Sequence, residues 1–258
     1  MIILDKYCIW FSRINKIGVK TQHDLLKRYK TPQKIWDLTK EELNKLVDEK
    51  QLNIILEKTY REDLDRYAEY MKKHNIKMIT IDDGKYPQKL RNIYDPPVVL
   101  YIIGNEDILN NKSIAIIGSR MCSNYGMKVA TQFAYNLSKY NINIISGLAK
   151  GIDTYAHMGT IRANKPTIAI VGCGLDIVYP EENKELFKNI IKQGAVVSEY
   201  AIGTKPEKIN FPARNRIISG LSDGILVVEA GNKSGTATTV EFALEQGKNI
   251  YAIPRKHK

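Results

Sequence analysis

The sequence predicts an α/β protein: a doubly wound parallel sheet preceded by a small all-helical domain. Three observations predict it. After Lys112, short continuous apolar runs alternate with helical patterns, which signifies parallel strands covered on both faces. Before His74, apolar residues recur at spacings of three and four, the period of an amphipathic helix. Between the two lies a proline-punctuated stretch in which no helix can continue.

The helical part covers residues 1–75, with apolar stripes in Leu25-Leu26-Tyr29, Ile35-Trp36-Leu38, Leu43-Leu46-Val47 and Leu64-Tyr67-Ala68-Met71. Thr39 with Glu42 three residues on is a capping-box signal for a helix beginning there. Ile17-Gly18-Val19-Lys20-Thr21 fits a helix-hairpin-helix turn, whose glycine lets backbone amides approach a phosphate. It fits equally a plain glycine turn between packed helices. A connecting region with the first strand follows over 76–111, marked by Asp82-Asp83-Gly84-Lys85-Tyr86-Pro87 and Asp95-Pro96-Pro97, with a strand expected from Val98 to Ile103.

From 112 to 258 the expected strands are Ser113–Ile117, Ile142–Ile145, Thr167–Val171, Ala195–Ser198, Ile225–Val228 and Asn249–Ile253. Met127–Tyr140 and Ala237–Gln246 read as helices between them. In such a fold the ligand site lies beyond the carboxyl ends of the strands, where the glycine-rich loops fall.

The 258 residues, 43% apolar, suffice for one large domain or one domain plus a small one. The net charge of +11 points to polyanionic partners. Residues 1–111 carry 20 Lys and Arg against 17 Asp and Glu, whereas 112–258 carry 19 against 11, so the surplus sits with the glycine loops. No apolar run approaches the ~18 residues of a spanning helix, and Asp5 and Lys6 interrupt the apolar start. The expectation is a cytoplasmic protein with no membrane role. Cys8, Cys122 and Cys173 are odd in number and far apart, against a disulfide framework or a paired-cysteine metal site; no cofactor or metal is expected.

Four strand-to-loop junctions and one further cluster carry the chemistry. Gly118-Ser119-Arg120 ends the first strand of the glycine-rich half: glycine for close approach, a hydroxyl and a guanidinium for phosphate oxygens. Ser146-Gly147-Leu148-Ala149-Lys150-Gly151-Ile152-Asp153 repeats the arrangement one strand later, with Lys150 just ahead of a helix start and Asp153 as a helix cap. Gly172-Cys173-Gly174 resembles the beginning of a dinucleotide fingerprint but lacks its third glycine and its acidic partner. Cys173 has no His or Asp at the spacing of a nucleophile's partners, and His157 reads as a core histidine. Asn232-Lys233-Ser234-Gly235-Thr236 is a further anion pocket at a helix start and not a Walker loop. Phe211-Pro212-Ala213-Arg214-Asn215-Arg216 places two arginines around an asparagine, with a ring for base stacking; one arginine is expected to pair with Glu199 or Glu229.

These motifs, together with Val178-Tyr179-Pro180-Glu181-Glu182-Asn183, resemble in order and context those of the DprA/Smf family, the DNA-processing protein of natural transformation. The resemblance runs from about Lys85 to Pro254, and the helical start is similar to that family's N-terminal (SAM/helix-hairpin-helix-like) domain. It implies an extended Rossmann domain, single-stranded DNA as ligand, transfer of that DNA to RecA recombinase, a homodimer and no catalysed reaction. The chain runs Pro254-Arg255-Lys256-His257-Lys258, and the winged helix that often follows in the family is expected to be absent.

The expected DNA-binding set is therefore Gly118, Ser119, Arg120, Ser146, Gly147, Lys150, Gly151, Gly172, Gly174, Lys208, Phe211, Arg214, Asn215, Arg216, Gly235 and Thr236. With about five cations on phosphates, log K should fall with log salt at a slope of roughly −3 to −4. The alternative is a nucleotide-processing enzyme resembling the lysine-decarboxylase-like phosphoribohydrolases, with Glu241 as its acid. Here Glu241 stands at a longer spacing from Gly235-Thr236 than in that family, and Asn232-Lys233-Ser234 replaces its Pro-Gly-Gly. A third reading is an adaptor with a vestigial pocket.

Overall fold

Side-chain caps start four of the seven helices that open the described chain. In the computed structural model, which describes residues 5–231 and 235–254, the Asp5 carboxylate accepts from the Tyr7 amide to start α1 (Lys6–Arg13). The expected anion pocket at Asn232, Lys233 and Ser234 and the terminal basic residues lie outside the described residues. After α2 (Val19–Tyr29), Thr31 caps α3 (Pro32–Trp36), and Thr39 and Glu42 close the predicted capping box on α4 (Lys40–Leu43). Asp48 and Gln51 make a second box on α5 (Glu49–Leu56), followed by α6 (Lys58–Arg61) and α7 (Leu64–Lys73). Gly18 sits between a short 3-10 turn and α2, at φ 89°.

The rest of the chain builds one eight-stranded sheet. Its strands are β1 (Ile76–Thr80), β2 (Val99–Gly104), β3 (Ser113–Gly118), β4 (Asn143–Ser146), β5 (Thr167–Val171), β6 (Ala195–Ser198), β7 (Gly224–Glu229) and β8 (Asn249–Ala252), in the order β1-β2-β6-β5-β4-β3-β7-β8. From β6 to β8 the neighbours are parallel; β1 and β2 add antiparallel, with Ile76 opposite Ile103 and Tyr101 opposite Ser198. β1 was not expected. Five residues in Ile76–Thr80 carry too short a pattern to separate from the helix before them, and pairing with β2 decides their state.

Five longer helices connect or follow the parallel strands: α9 (Asn124–Lys139), α10 (Ile152–Arg162), α11 (Lys184–Gln193), α12 (Asn210–Leu221) and α13 (Gly235–Glu245), with α8 (Gln88–Arg91) in the connecting region. The continuous apolar strands are explained by their two covered faces. Ile116 and Ile144 pack with Ala130, Ala134 and Ala156 of α9 and α10, while Ala115, Ile117 and Ile145 pack with Ile217, Ile218 and Leu221 of α12.

The helical start does not stand apart from the sheet. Trp10, Ile14, Ile55 and Met71 belong to the same buried cluster as Tyr101, Val171, Phe187 and Val196. Polar ties reinforce the junction: Ser12 Oγ bonds Tyr101 OH, and Tyr67 OH donates to the Ile202 carbonyl at 3.2 Å. Among the described residues no helix is long and apolar enough to cross a membrane.

Candidate nucleic-acid interface

Strand order puts a crevice where β3 meets β7, because the chain leaves the two strands toward opposite sides of the sheet. In dinucleotide-binding folds a phosphate sits there on the helix N-terminus. Here the protein fills that place itself. Glu229 Oε2 accepts from both the amide and the hydroxyl of Ser123, the cap of α9, at 3.0 Å, and the Ser119 amide donates to the Glu229 carbonyl at 2.6 Å. Ser119 Oγ closes on Met121, donating to its carbonyl at 2.9 Å and accepting from its amide at 3.1 Å. Ser119 and Gly118 thus shape the loop, and Arg120 is the residue of that triplet that reaches solvent.

The second loop is held from inside. Asp153 Oδ2 accepts from the amides of Gly147 and Ala149 at 3.1 and 3.3 Å, so Asp153 ties the loop down, where the sequence suggested a helix cap. Gly151 precedes α10 at φ 78°, and a Cβ there would stand 2.2 Å from the Ser119 carbonyl oxygen. This contact, with the Ile152 amide donating to the same oxygen at 3.2 Å, locks the second loop to the first. Ser146 is fully buried and donates to the Ile116 carbonyl at 2.7 Å, so it faces the sheet and not a ligand. Lys150 projects outward and pairs with Glu182.

The arginine cluster departs most from the sequence reading. Residues Asn210–Leu221 form α12, which places Arg214, Asn215 and Arg216 inside, at 4%, 8% and 3% exposure. Arg214 Nη1 donates to the Gly147 carbonyl at 2.8 Å and to the Ile170 carbonyl, pinning the ends of β4 and β5. Burial pushes its pKa down to about 10 and that of Asp153 upward, since both charges have left water. Arg216 forms a two-pronged pair with Glu199 and a 3.0 Å ion pair from Nε to Asp95. Burial opposes its charge, but Glu199 outweighs that and holds the guanidinium protonated. One arginine was expected to pair with Glu199 or Glu229, and Arg216 does so with Glu199; Arg214 is buried as well, but on backbone carbonyls. Asn215 donates to the Gly235 carbonyl at 3.2 Å, and Thr236, Gly172 and Gly174 are buried. The Gly174 amide already donates to Thr204.

What faces outward is a compact cation–aromatic edge. The Arg120 guanidinium lies 5.8 Å from the centre of the Phe211 ring, and Tyr179 packs on the same ring at 5.4 Å with a 33° tilt. Gly172 allows this, because a Cβ would meet the Phe211 ring at 3.0 Å. Lys150 and Lys208 are exposed, as are Met121 and Ile209. Tyr179 was missed as a site residue; its signal was the Val178-Tyr179-Pro180 motif, whose ring no folding argument needed at the surface.

The chemically able groups nearby are withdrawn. Cys173 is buried, its thiol pushed up to about 11 by that burial, and donates to the Ile177 carbonyl at 3.4 Å. His157 is buried, and its Nδ1 lies 2.8 Å from Thr167 Oγ1. The Thr167 hydroxyl spends its proton on the Ile144 carbonyl at 2.8 Å, so His157 carries its proton on Nδ1. Glu241 is exposed nearly two turns into α13. Among the described residues no cluster of His, Cys, Asp and Glu could hold a metal ion.

Residues 77–258 match the family described as DNA recombination-mediator protein A. The chain belongs to that family. DNA processing protein DprA of Streptococcus pneumoniae is 46% identical over 175 residues, 68% of this chain and 62% of that protein. Protein Smf of a Synechocystis strain is 40% identical over 193 residues, 73% of this chain and 48% of the relative. The chain therefore spans about half to two thirds of the length of these curated relatives. Its fold agrees with the X-ray structure of the S. pneumoniae DprA, with a TM-score of 0.83 and 34% identity over 98% of this chain and 88% of that one. It also aligns with the DNA processing protein A of Helicobacter pylori, whose structure is described for its single-stranded DNA binding mode, at a TM-score of 0.64 and 30% identity over 70% and 82%. The mediator family thus accounts for the extended Rossmann-like sheet.

Proposed function

We propose that this family member binds single-stranded DNA along the carboxyl edge of the sheet. The observation that carries the reading is the Arg120–Phe211–Tyr179 stack, flanked by Lys150 and Lys208. Tyr179, 45% exposed, offers a ring on which any base can stack, and stacking is worth about 1–3 kcal/mol per base. The cations meet the backbone as it passes. Arg214 and Arg216 serve by holding the loops, so the phosphate contacts come from Arg120, Lys150 and Lys208. The expected salt slope for a short strand is about −2, at about 0.7 per contact.

Family membership supports the wider role: handling single strands for a RecA-class recombinase during DNA uptake, as a cytoplasmic homodimer and without a reaction of its own. The enzyme alternative is disfavoured by Glu229, which occupies the helix N-terminus where a nucleotide phosphate would sit, and by the burial of Cys173 and His157. The deciding experiment is anisotropy binding of matched single- and double-stranded oligonucleotides across a salt series, for wild type and Arg120→Ala/Phe211→Ala. Salt-sensitive preference for single strands, lost in the variant, is the expected result. Equal affinity of variant and wild type would overturn the rim reading.

A further inference from the structure

Away from the rim, α9 and α10 pack closely enough that a Cβ on Gly159 would stand 2.3 Å from the Thr131 carbonyl oxygen, and Ser138 Oγ donates to Thr160 Oγ1 at 3.2 Å between them. Small residues at the seam, Ala130, Ala134, Ala156 and Gly159, draw the axes together. Larger side chains are left on the outer shoulders. They border an open groove of about 710 Å³, lined by Tyr125, Phe133, Tyr155 and Met158 with Lys128 and Arg162 among them.

The charge around this groove is one-sided. Its lining holds Lys128 and Arg162 and no carboxylate, and the Glu229 carboxylate at the start of α9 is taken up by Ser123. Tyr125 and Phe133 are 41% and 42% exposed, so their rings are available from solvent. The groove also begins at the rim. Tyr125 lies in the first turn of α9, whose cap Ser123 is fixed by Glu229, and Arg120 stands three residues before that cap. From Tyr125 to Phe133 the helix advances about 12 Å away from the sheet edge.

We propose that this groove continues the single-strand path: a strand leaving the Arg120–Phe211 edge runs along α9 and α10, its bases against Tyr125, Phe133 and Tyr155 and its phosphates near Lys128 and Arg162. Aromatic faces interleaved with cations are what a sequence-neutral single-strand track requires. The inference rests on the rim reading and extends it from a short contact to an extended one. An acidic peptide would share the charge complementarity, but continuity with the rim favours the strand.

The test is length. Anisotropy titrations use oligothymidines of about 6 and about 20 nucleotides, spanning the range of known single-strand site sizes. The proteins are wild type, Tyr125→Ala/Phe133→Ala and Lys128→Gln/Arg162→Gln, all exposed substitutions that leave the helix seam intact. Wild type should show a salt slope steeper by about 1.4 for the long strand than for the short one, reflecting two added phosphate contacts. The aromatic variant should lose about tenfold or more of the long-strand affinity, from stacking, and none of the short-strand affinity. The cation variant should abolish the difference in slope. Equal slopes at both lengths, or variants that bind the long strand like wild type, would overturn the groove proposal while leaving the rim reading standing. An acidic peptide that binds the groove and is not displaced by the long strand would overturn it too. Failure of wild type to bind either strand would overturn the rim reading and this extension together.

Discussion

The Arg216 guanidinium and the Glu199 carboxylate form a two-pronged pair inside the protein, Nη1 to Oε2 at 2.8 Å and Nη2 to Oε1 at 2.5 Å. Their side chains are 3% and 9% exposed, and Asp95 meets the third guanidinium nitrogen at 3.0 Å. Arg216 therefore joins three separate stretches of chain: α12, the residue after β6, and the proline-rich connection before β2. An arginine in a basic motif is here a structural clamp beneath the carboxyl edge of the sheet.

Removing Arg216 should cost stability first. Arg216→Ala leaves Glu199 buried and unpaired, and losing one partner of such a pair costs about 3–5 kcal/mol. Urea unfolding should show the loss directly. Arg216→Lys should recover little, because an ammonium cannot reproduce the fork.

Arg120→Ala should show the opposite profile. Its side chain is exposed and, among the described residues, lies against the Phe211 ring, so the unfolding free energy from urea titration should stay within about 0.5 kcal/mol of wild type. Single-strand affinity should fall, and the salt slope should become shallower by about 0.7. A stability loss like that of Arg216→Ala would mean that Arg120 also clamps the fold.

These two arginines mark how far the sequence was legible. Apolar runs such as Thr167–Val171 read as strands because both faces of β5 are buried, and Thr39 with Glu42 announced a helix start through local hydrogen bonds alone. The glycine loops could be placed at one sheet edge for the same reason. The direction of a side chain was not legible. The string left room for one of Arg214 and Arg216 to turn inward; both do because α12 is buried on all sides from Arg214 to Leu221, so that Arg214 reaches the ends of β4 and β5 while Arg216, about 200° round the helix, reaches Glu199 and Asp95. That Glu229 holds Ser123, the cap of α9, depends on the β3–β7 neighbour relation, which no local pattern encodes.

Glu182→Gln should tighten single-strand binding at low salt. Lys150 pairs with Glu182 at the surface, both more than half exposed, and the carboxylate is held below its usual pKa by that hydrogen bond. Neutralising Glu182 frees Lys150 and removes a negative charge from the edge. The gain should fade as salt screens the exposed charges. Unchanged low-salt affinity would mean that Lys150 does not meet the strand.

His157 should make the protein lose stability as pH falls. Burial first, then the nearby Arg214 charge, pushes its pKa from 6.5 down to about 3. The unfolded chain binds the proton near pH 6.5 and the folded one only near 3, so protonation favours unfolding throughout that window. Stability from this residue is complete above pH 6.5 and declines by up to about 1.4 kcal/mol per pH unit toward pH 3. His157→Asn, which offers an amide N–H in place of Nδ1, should flatten the decline by that amount relative to wild type. An unchanged slope in urea unfolding across pH 4–6.5 would contradict the assignment.

Gly151 provides the sharpest test that the two loops act as one surface. A Cβ at this position would stand 2.2 Å from the Ser119 carbonyl oxygen and 2.6 Å from that of Arg120, both backbone atoms with no side-chain freedom to yield. Gly18 has a similar positive φ, 89°, but nothing within 4 Å, and lies in the helical start. In Gly18→Ala the expected cost is backbone strain alone, about 1–3 kcal/mol at φ 89° and ψ 143°, with single-strand affinity unchanged. Gly151→Ala adds the clash, for a further loss of about 1–3 kcal/mol. To relieve it the Ile152–Ser119 hydrogen bond must open, which moves Arg120 away from the Phe211 ring. Binding by the folded protein, measured well below its unfolding midpoint, should therefore weaken in Gly151→Ala and not in Gly18→Ala. Equal affinities would show that Arg120 finds the strand without the loop contact that now holds it in place.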